Sequence, residues 1–327
     1  VALVSATTIR CVLMVLHAPR VSFIPLAWSL LAAGCGDAGG GDTSTSSAGA
    51  TTSSGDEKGT TGSSEGGEPT TGDAGDTGDT GDTGDTGDTT SGPPPPGIAC
   101  GESFQHEGRQ GCHTTVEGID VKFFPPPEGE AVERLAVFFH GDGAADYLEN
   151  WGFPPDILAW TEARHTMVVG VLSPASYEDN TIAFGAAQPE HADAVATTIE
   201  AFIAAYEPVY ADATLYWGVS GGSWHFSSSF IPHVAHRVPG VFVANCGGSG
   251  LSFGWAWDPG KDTVMRDKIP IYFNYGSEDF LAPNIVDSIV EYKDLGFTVD
   301  SLVHDGAGHC MHPISGPTID FWSRHVP

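Results

Sequence analysis

Ser220 stands in G-V-S-G-G (Gly218–Gly222), a serine between glycines at the end of an apolar run. A serine hydroxyl attacks a carbonyl carbon well only when a base takes its proton, and the base needs a third group to orient it. Downstream, G-S-E-D-F-L-A-P supplies Asp279, and H-D-G-A-G-H-C supplies His309. Glu278 is the rival acid and Asp305 a distant second. His304 rivals His309 but lies too near its strand to reach back over a sheet. His140, His225, His233 and His312 read as structural or surface groups. The anionic oxygen of a tetrahedral intermediate needs preorganised donors. The backbone N–H of Gly221 and that of Asp142, in H-G-D-G (His140–Gly143), are the candidates, with His140 bracing the loop. This chemistry calls for no cofactor and no metal.

These residues need elements that bring them to one edge. Short β-branched or aromatic runs bounded by Gly and Pro read as strands: Arg134–His140, Met167–Leu172, Ala213–Ser220, Gly240–Asn245, Pro270–Gly276 and Phe297–Val303. Cys112–Phe124 reads as a strand or hairpin ahead of them. Helical spacing marks Glu190–Tyr206, Asn284–Leu295 and Pro317–Arg324, and Ser223–Ala235 is helix-like. Apolar strands alternating with helices predict a parallel sheet covered on both faces. In such sheets catalytic groups gather at the strands' C-terminal ends, where Ser220, Asp279 and His309 all fall. A serine between strand and helix also fits a sharp nucleophile turn.

Taken together, H-G-x-G, G-x-S-x-G, G-x-x-D-x-x-x-P and G-x-G-H resemble the α/β-hydrolase superfamily over about Arg134 to Pro327. The flavour is similar to the secreted polyhydroxybutyrate depolymerase and feruloyl or acetyl-xylan esterase group. That resemblance implies an α/β-hydrolase sandwich with a mostly parallel central sheet, and cofactor-free cleavage of carboxylic esters. Acylated polysaccharides and polyesters are the implied substrates. Two positions depart from the group: Asp142 stands where a small, apolar or Cys residue is usual, and Gly221 where Ala is common. About 25 residues separate Gly240–Asn245 from Pro270–Gly276, too few for a large lid domain. Trp151, Trp224, Trp255 and Trp257 are evenly balanced between substrate stacking and core. Two rival readings stand beside the esterase. One is a serine peptidase of prolyl-peptidase type, whose large extra domain has no counterpart in this sequence. The other is a catalytically silent surface lipoprotein.

The chain divides by composition into residues 1–35, 36–98 and 99–327. Arg10 and Arg20, then the apolar run Val21–Cys35, read as a secretory signal. The run is too short to span a bilayer. Its ending L-A-A-G-C resembles a bacterial lipobox, which would make Cys35 the lipidated residue. The stretch ahead of Val21 is long for a signal and opens on Val1, which points to a misassigned translation start. Residues 36–98 hold twelve acids against Lys58 and five G-D-T repeats. They have too little apolar surface to offset ordering entropy, so a disordered tether is expected. Its root-mean-square span is about 40–45 Å. Cys100, Cys112, Cys246 and Cys310 remain for an oxidising compartment. Four cysteines allow three pairings; Cys100–Cys112 with Cys246–Cys310 is the one that sequence position favours. The net charge is −29. With no basic patch to meet phosphates, nucleic acid is not an expected partner, and any membrane contact is through the anchor alone.

Overall fold

The computed structural model describes residues 97–125 and 130–326. The expected signal, Cys35 and the tether as far as Pro96 lie outside the described residues. Nine strands form one sheet, in the order β1-β2-β3-β5-β4-β6-β7-β8-β9. They are β1 (Glu102–His106), β2 (Arg109–Val116), β3 (Ile119–Phe124), β4 (Arg134–Phe139), β5 (Thr166–Val171), β6 (Thr214–Val219), β7 (Gly240–Asn245), β8 (Ile271–Gly276) and β9 (Val299–His304). β4 to β9 run parallel; β1–β2, β2–β3 and β3–β5 pair antiparallel. The two opening hairpins turn on Glu107-Gly108 and Glu117-Gly118, all four with positive φ. Two consecutive left-handed residues match the twist of a hairpin, and glycine fits the second position without strain.

β4, β5, β7 and β8 are buried at every position. Helices cover both faces: α1 (Ala145–Leu148), α2 (Pro155–Glu162), α3 (Pro189–Tyr206), α4 (Gly221–His225), α5 (Ile231–Val234), α6 (Thr263–Asp267), α7 (Ala282–Asp294) and α8 (Ser315–His325). The period of two sends neighbouring side chains to opposite faces. Thus Phe138 joins Phe153, Trp217 and Trp322, while Phe139 joins Phe184, Phe226 and Phe230. α3 begins at Pro189, in the first turn where its missing N–H costs nothing. It buries Ala192, Val195, Ala196, Ile199 and Phe202, a 3–4 spacing that faces the sheet. The helix-like stretch after Ser220 is helical from Gly221 to Val234, with a π-helical turn, Phe226–Phe230, between α4 and α5. No helix among the described residues is long and apolar enough to cross a membrane.

His225 lies inside this core. Its ring stacks on Phe184 at 5.1 Å, and neither ring nitrogen has a hydrogen-bond partner. Burial pushes its pKa down to about 3. The unfolded chain therefore takes up a proton below pH ~6.5 that the folded chain refuses. This contribution to stability is full above that pH and is lost progressively as pH falls toward about 3. The slope is about 1.4 kcal/mol per pH unit. Burial lowers His140 and His312 as well, with the same sign. His225→Phe is expected to raise stability at pH 7 by about 1 kcal/mol, since it removes two unsatisfied nitrogens. It should also flatten the fall of melting temperature between pH 6.5 and 4. Thermal scans across that range check both; an unchanged slope in the variant would count against the assignment.

Candidate active site

The end of β6 and the start of α4 make a sharp turn around Ser220. Its backbone has φ 49° and ψ −114°, a left-handed φ that a non-glycine residue holds only under constraint. The flanking glycines are required by close approach. A Cβ on Gly218 would meet the Ser223 nitrogen at 2.8 Å, and one on Gly222 would meet the His140 carbonyl oxygen at 2.7 Å. The Ser220 N–H donates to the Asn245 carbonyl oxygen of neighbouring β7 at 3.0 Å. The turn is thus pinned to the sheet while the side chain stays partly exposed.

Ser220 Oγ lies 2.9 Å from His309 Nε2. His309 Nδ1 donates to Asp279 at 2.9 Å (Oδ1) and 3.0 Å (Oδ2). Asp279 is 4% exposed, and its Oδ1 also accepts the Leu281 N–H at 2.8 Å. The three residues come from the loops after β6, β8 and β9. The rivals stand apart. Glu278 is exposed, and Asp305 accepts a long hydrogen bond from Ser277 Oγ. His304 Nε2 donates to Asn274 Oδ1 at 2.8 Å. The Phe280 ring lies against His309, centroids 4.4 Å apart, and is 58% exposed.

With a mostly parallel sheet in this order and a serine turn directly after β6, the architecture is decided. The fold is that of the α/β-hydrolases. No family model and no curated protein matches the chain. Among solved structures, a Thermus thermophilus protein is 17% identical over 66% of this chain and 97% of its own, with a TM-score of 0.45. A Bacillus cereus carboxylesterase is 12% identical over 63% of this chain and 93% of its own, with a TM-score of 0.46. A Rhizomucor miehei esterase is 13% identical over 68% and 83%, with a TM-score of 0.44. The strand order and the serine turn, not these likenesses, define the fold.

On the other side of Ser220 lies the loop His140–Gly143, between β4 and α1. His140 is fully buried; its Nδ1 donates to the Gly141 carbonyl at 2.6 Å, and its Nε2 accepts the Ser173 N–H at 2.9 Å. One nitrogen donates and the other accepts, so the ring must be neutral. Burial lowers its pKa and keeps it so. Asp146 Oδ2 accepts the Gly141 N–H at 3.0 Å. Gly221 opens α4, so its N–H has no acceptor within the helix. Asp142 holds its carboxylate to Tyr177 and Gly185. Of the tryptophans, Trp255 and Trp257 pack on the core, Trp224 is half-buried and Trp151 is 66% exposed.

A polar network beneath the triad has no counterpart in the sequence reading. Asn274 Nδ2 donates to Asn245 Oδ1 at 2.8 Å and to the Pro313 carbonyl at 2.9 Å. His312 Nε2 donates to the Asn274 carbonyl at 3.1 Å, and its ring stacks on His304. These bonds tie the loop bearing His309 to β8. Asn245 and Asn274 occupy strand positions whose neighbours are apolar, and only a buried asparagine in an apolar strand could have hinted at them.

Both disulfides are formed, Cys100–Cys112 and Cys246–Cys310. Cys246 follows β7 and Cys310 follows His309, so the second bridge fastens the histidine loop to the sheet edge. Holding a base within reach of its partner saves orientational freedom at the barrier. Replacing both Cys246 and Cys310 by Ser is expected to lower kcat about tenfold while KM stays within about twofold. The effect is moderate because Asn274 and His312 still hold the loop. Steady-state kinetics on a chromogenic ester check this; a fall confined to KM would place the bridge in substrate binding instead.

Proposed function

We propose that the chain is an extracytoplasmic serine esterase that cleaves carboxylic esters through an acyl-enzyme intermediate. The observation that carries this reading is the continuous hydrogen-bonded chain from Ser220 through His309 to Asp279. In the forward step, Ser220 Oγ attacks the ester carbonyl carbon and its proton passes to His309 Nε2. Asp279 holds the imidazole by Nδ1 and balances the charge that forms there. The carbonyl oxygen becomes an oxyanion, and the backbone N–H groups of Gly221 and Asp142 are the donors assigned to it in this reading. The tetrahedral intermediate collapses, the C–O bond to the alcohol breaks, and His309 returns its proton to that oxygen. Water then repeats the sequence on the acyl-serine and frees the acid. No cofactor enters any step.

The segment between β7 and β8 holds only the short α6, so no large lid is inserted at that point. Exposed Phe280 and Met311 flank His309. An open, apolar rim suits bulky acyl groups, as on an acylated polysaccharide or a polyester. The two disulfides fit an oxidising compartment, and Cys35 is the proposed lipid attachment point. A fluorophosphonate probe should label Ser220, and a panel of p-nitrophenyl, feruloyl and hydroxyalkanoate esters should reveal the acyl class. Labelling that misses Ser220, or cleavage of peptide amides in place of esters, would overturn the reading.

A further inference from the structure

An acidic side chain beside a site that must stabilise an anion calls for a physical reason. Asp142 is such a residue; it is exposed, but each of its carboxylate oxygens accepts a hydrogen bond. Oδ2 accepts the Tyr177 hydroxyl at 2.8 Å, and Oδ1 accepts the Gly185 N–H at 2.9 Å. Both donors come from one loop, between β5 and α3, which the Ser176–Ile182 bridge folds into a tight tongue. The tongue grips the loop at a third point, where the Gly143 N–H donates to the Ile182 carbonyl at 2.8 Å. Held this way, the carboxylate lies directly over the Cα of Gly221. A Cβ added to Gly221 would overlap Asp142 Oδ1 and meet Oδ2 at 3.1 Å. A Cβ on Gly185 would meet the Tyr177 hydroxyl at 2.5 Å and Asp142 Oδ2 at 2.6 Å.

We infer that Tyr177 and Asp142 form a latch that positions the oxyanion-side loop against Ser220, and that this latch is why position 221 is glycine. Tyr177 and the Asp142 carboxylate are positioning groups; the Asp142 backbone N–H is the group offered to substrate. The latch gives the carboxylate two hydrogen-bond donors, which offset part of a charge that would otherwise oppose an anion forming nearby. Burial and the bond to Asp142 raise the Tyr177 pKa, so its hydroxyl remains a donor throughout the working pH range. The catalytic part of this inference rests on the esterase reading; the steric part does not.

A double-mutant cycle separates the two. Gly221→Ala is expected to lower the melting temperature by about 5 °C, the cost of an overpacked methyl in a domain of this size. Adding Asp142→Ala should restore most of that shift, because the colliding carboxylate is gone. Additive losses in the double variant would overturn the latch, whatever the substrate proves to be. In kinetics on an ester, Tyr177→Phe should reduce kcat at least tenfold with KM within twofold. It should also weaken a trifluoromethyl ketone, which mimics the tetrahedral state, by the same factor. A purely structural Tyr177 would lower the melting temperature and leave both kcat and the ketone affinity at wild-type values; that result overturns the positioning role. If wild-type protein cleaves no ester while the thermal cycle is non-additive, the esterase reading fails and the latch stands. Should Gly221→Ala not fold alone, its recovery as soluble protein on adding Asp142→Ala supports the latch, and continued failure overturns it.

Discussion

Ser220→Ala should abolish ester hydrolysis, with kcat down by about 10⁶-fold and the fold intact. Removing the nucleophile of a serine triad costs roughly that much, and what remains comes from binding and oxyanion donors. The backbone argues that folding survives. Ala tolerates the φ of 49° no worse than Ser does, and the Ser220 N–H bond to Asn245 is unaffected. Far-UV circular dichroism and the melting temperature should match wild type. Ser220→Gly is the informative companion. Glycine escapes the strain of a sparsely populated positive-φ conformation, about 1–3 kcal/mol, so this variant should be equally inactive yet melt a few degrees higher. That pairing, dead and more stable, is the signature of strain held for function. Activity retained above about a thousandth of wild type in Ser220→Ala would remove Ser220 from the mechanism.

The elements legible in sequence are those whose signal is local. The runs from β4 to β8 are β-branched or aromatic and bounded by Gly or Pro, and their expected limits lie within a residue of those observed. β9 starts two residues later than expected, because Phe297 and Thr298 belong to the turn after Gly296. β1 carries no strand signal of its own: E-S-F-Q-H is polar at most positions and takes its order from pairing with β2. α2 follows Pro154 and begins at Pro155, a pair that reads as loop although proline is tolerated in a first helical turn. The candidate site divides the same way. The candidate serine, acid and histidine stand out because each follows closely on a recognisable strand. The Asn274, His304 and His312 network and the Tyr177 latch do not, since each joins segments tens of residues apart with no spacing to betray them. The choice between neighbours Glu278 and Asp279 was also beyond spacing. Only the turn after β8 buries Asp279 and leaves Glu278 in solvent.

That choice has a sharp consequence. Asp279→Asn is expected to lower kcat about 10⁴-fold with little change in stability. The Leu281 N–H, 2.8 Å from Oδ1, selects oxygen for that position in the variant. The amide NH₂ then takes the place of Oδ2, 3.0 Å from His309 Nδ1. An NH₂ there donates to Nδ1 and drives the ring's proton to Nε2, the nitrogen that must accept from Ser220 Oγ. The ring stays in place in the wrong tautomer, and the negative charge that steadies the imidazolium is gone. In triads of this kind the loss is about 10⁴-fold in kcat, with geometry preserved. Glu278→Gln is the matched control one residue away. Its side chain is exposed and makes no bond to His309, so hydrolysis should stay within about threefold, the scale of surface-charge effects on a nearby site. Measuring both variants on the same ester, with fluorophosphonate labelling rates alongside, tests the acid directly. If Glu278→Gln proves the crippled variant and Asp279→Asn the mild one, the orienting carboxylate has been misassigned; equal and severe losses would mean that the whole β8 turn, rather than one carboxylate, holds His309.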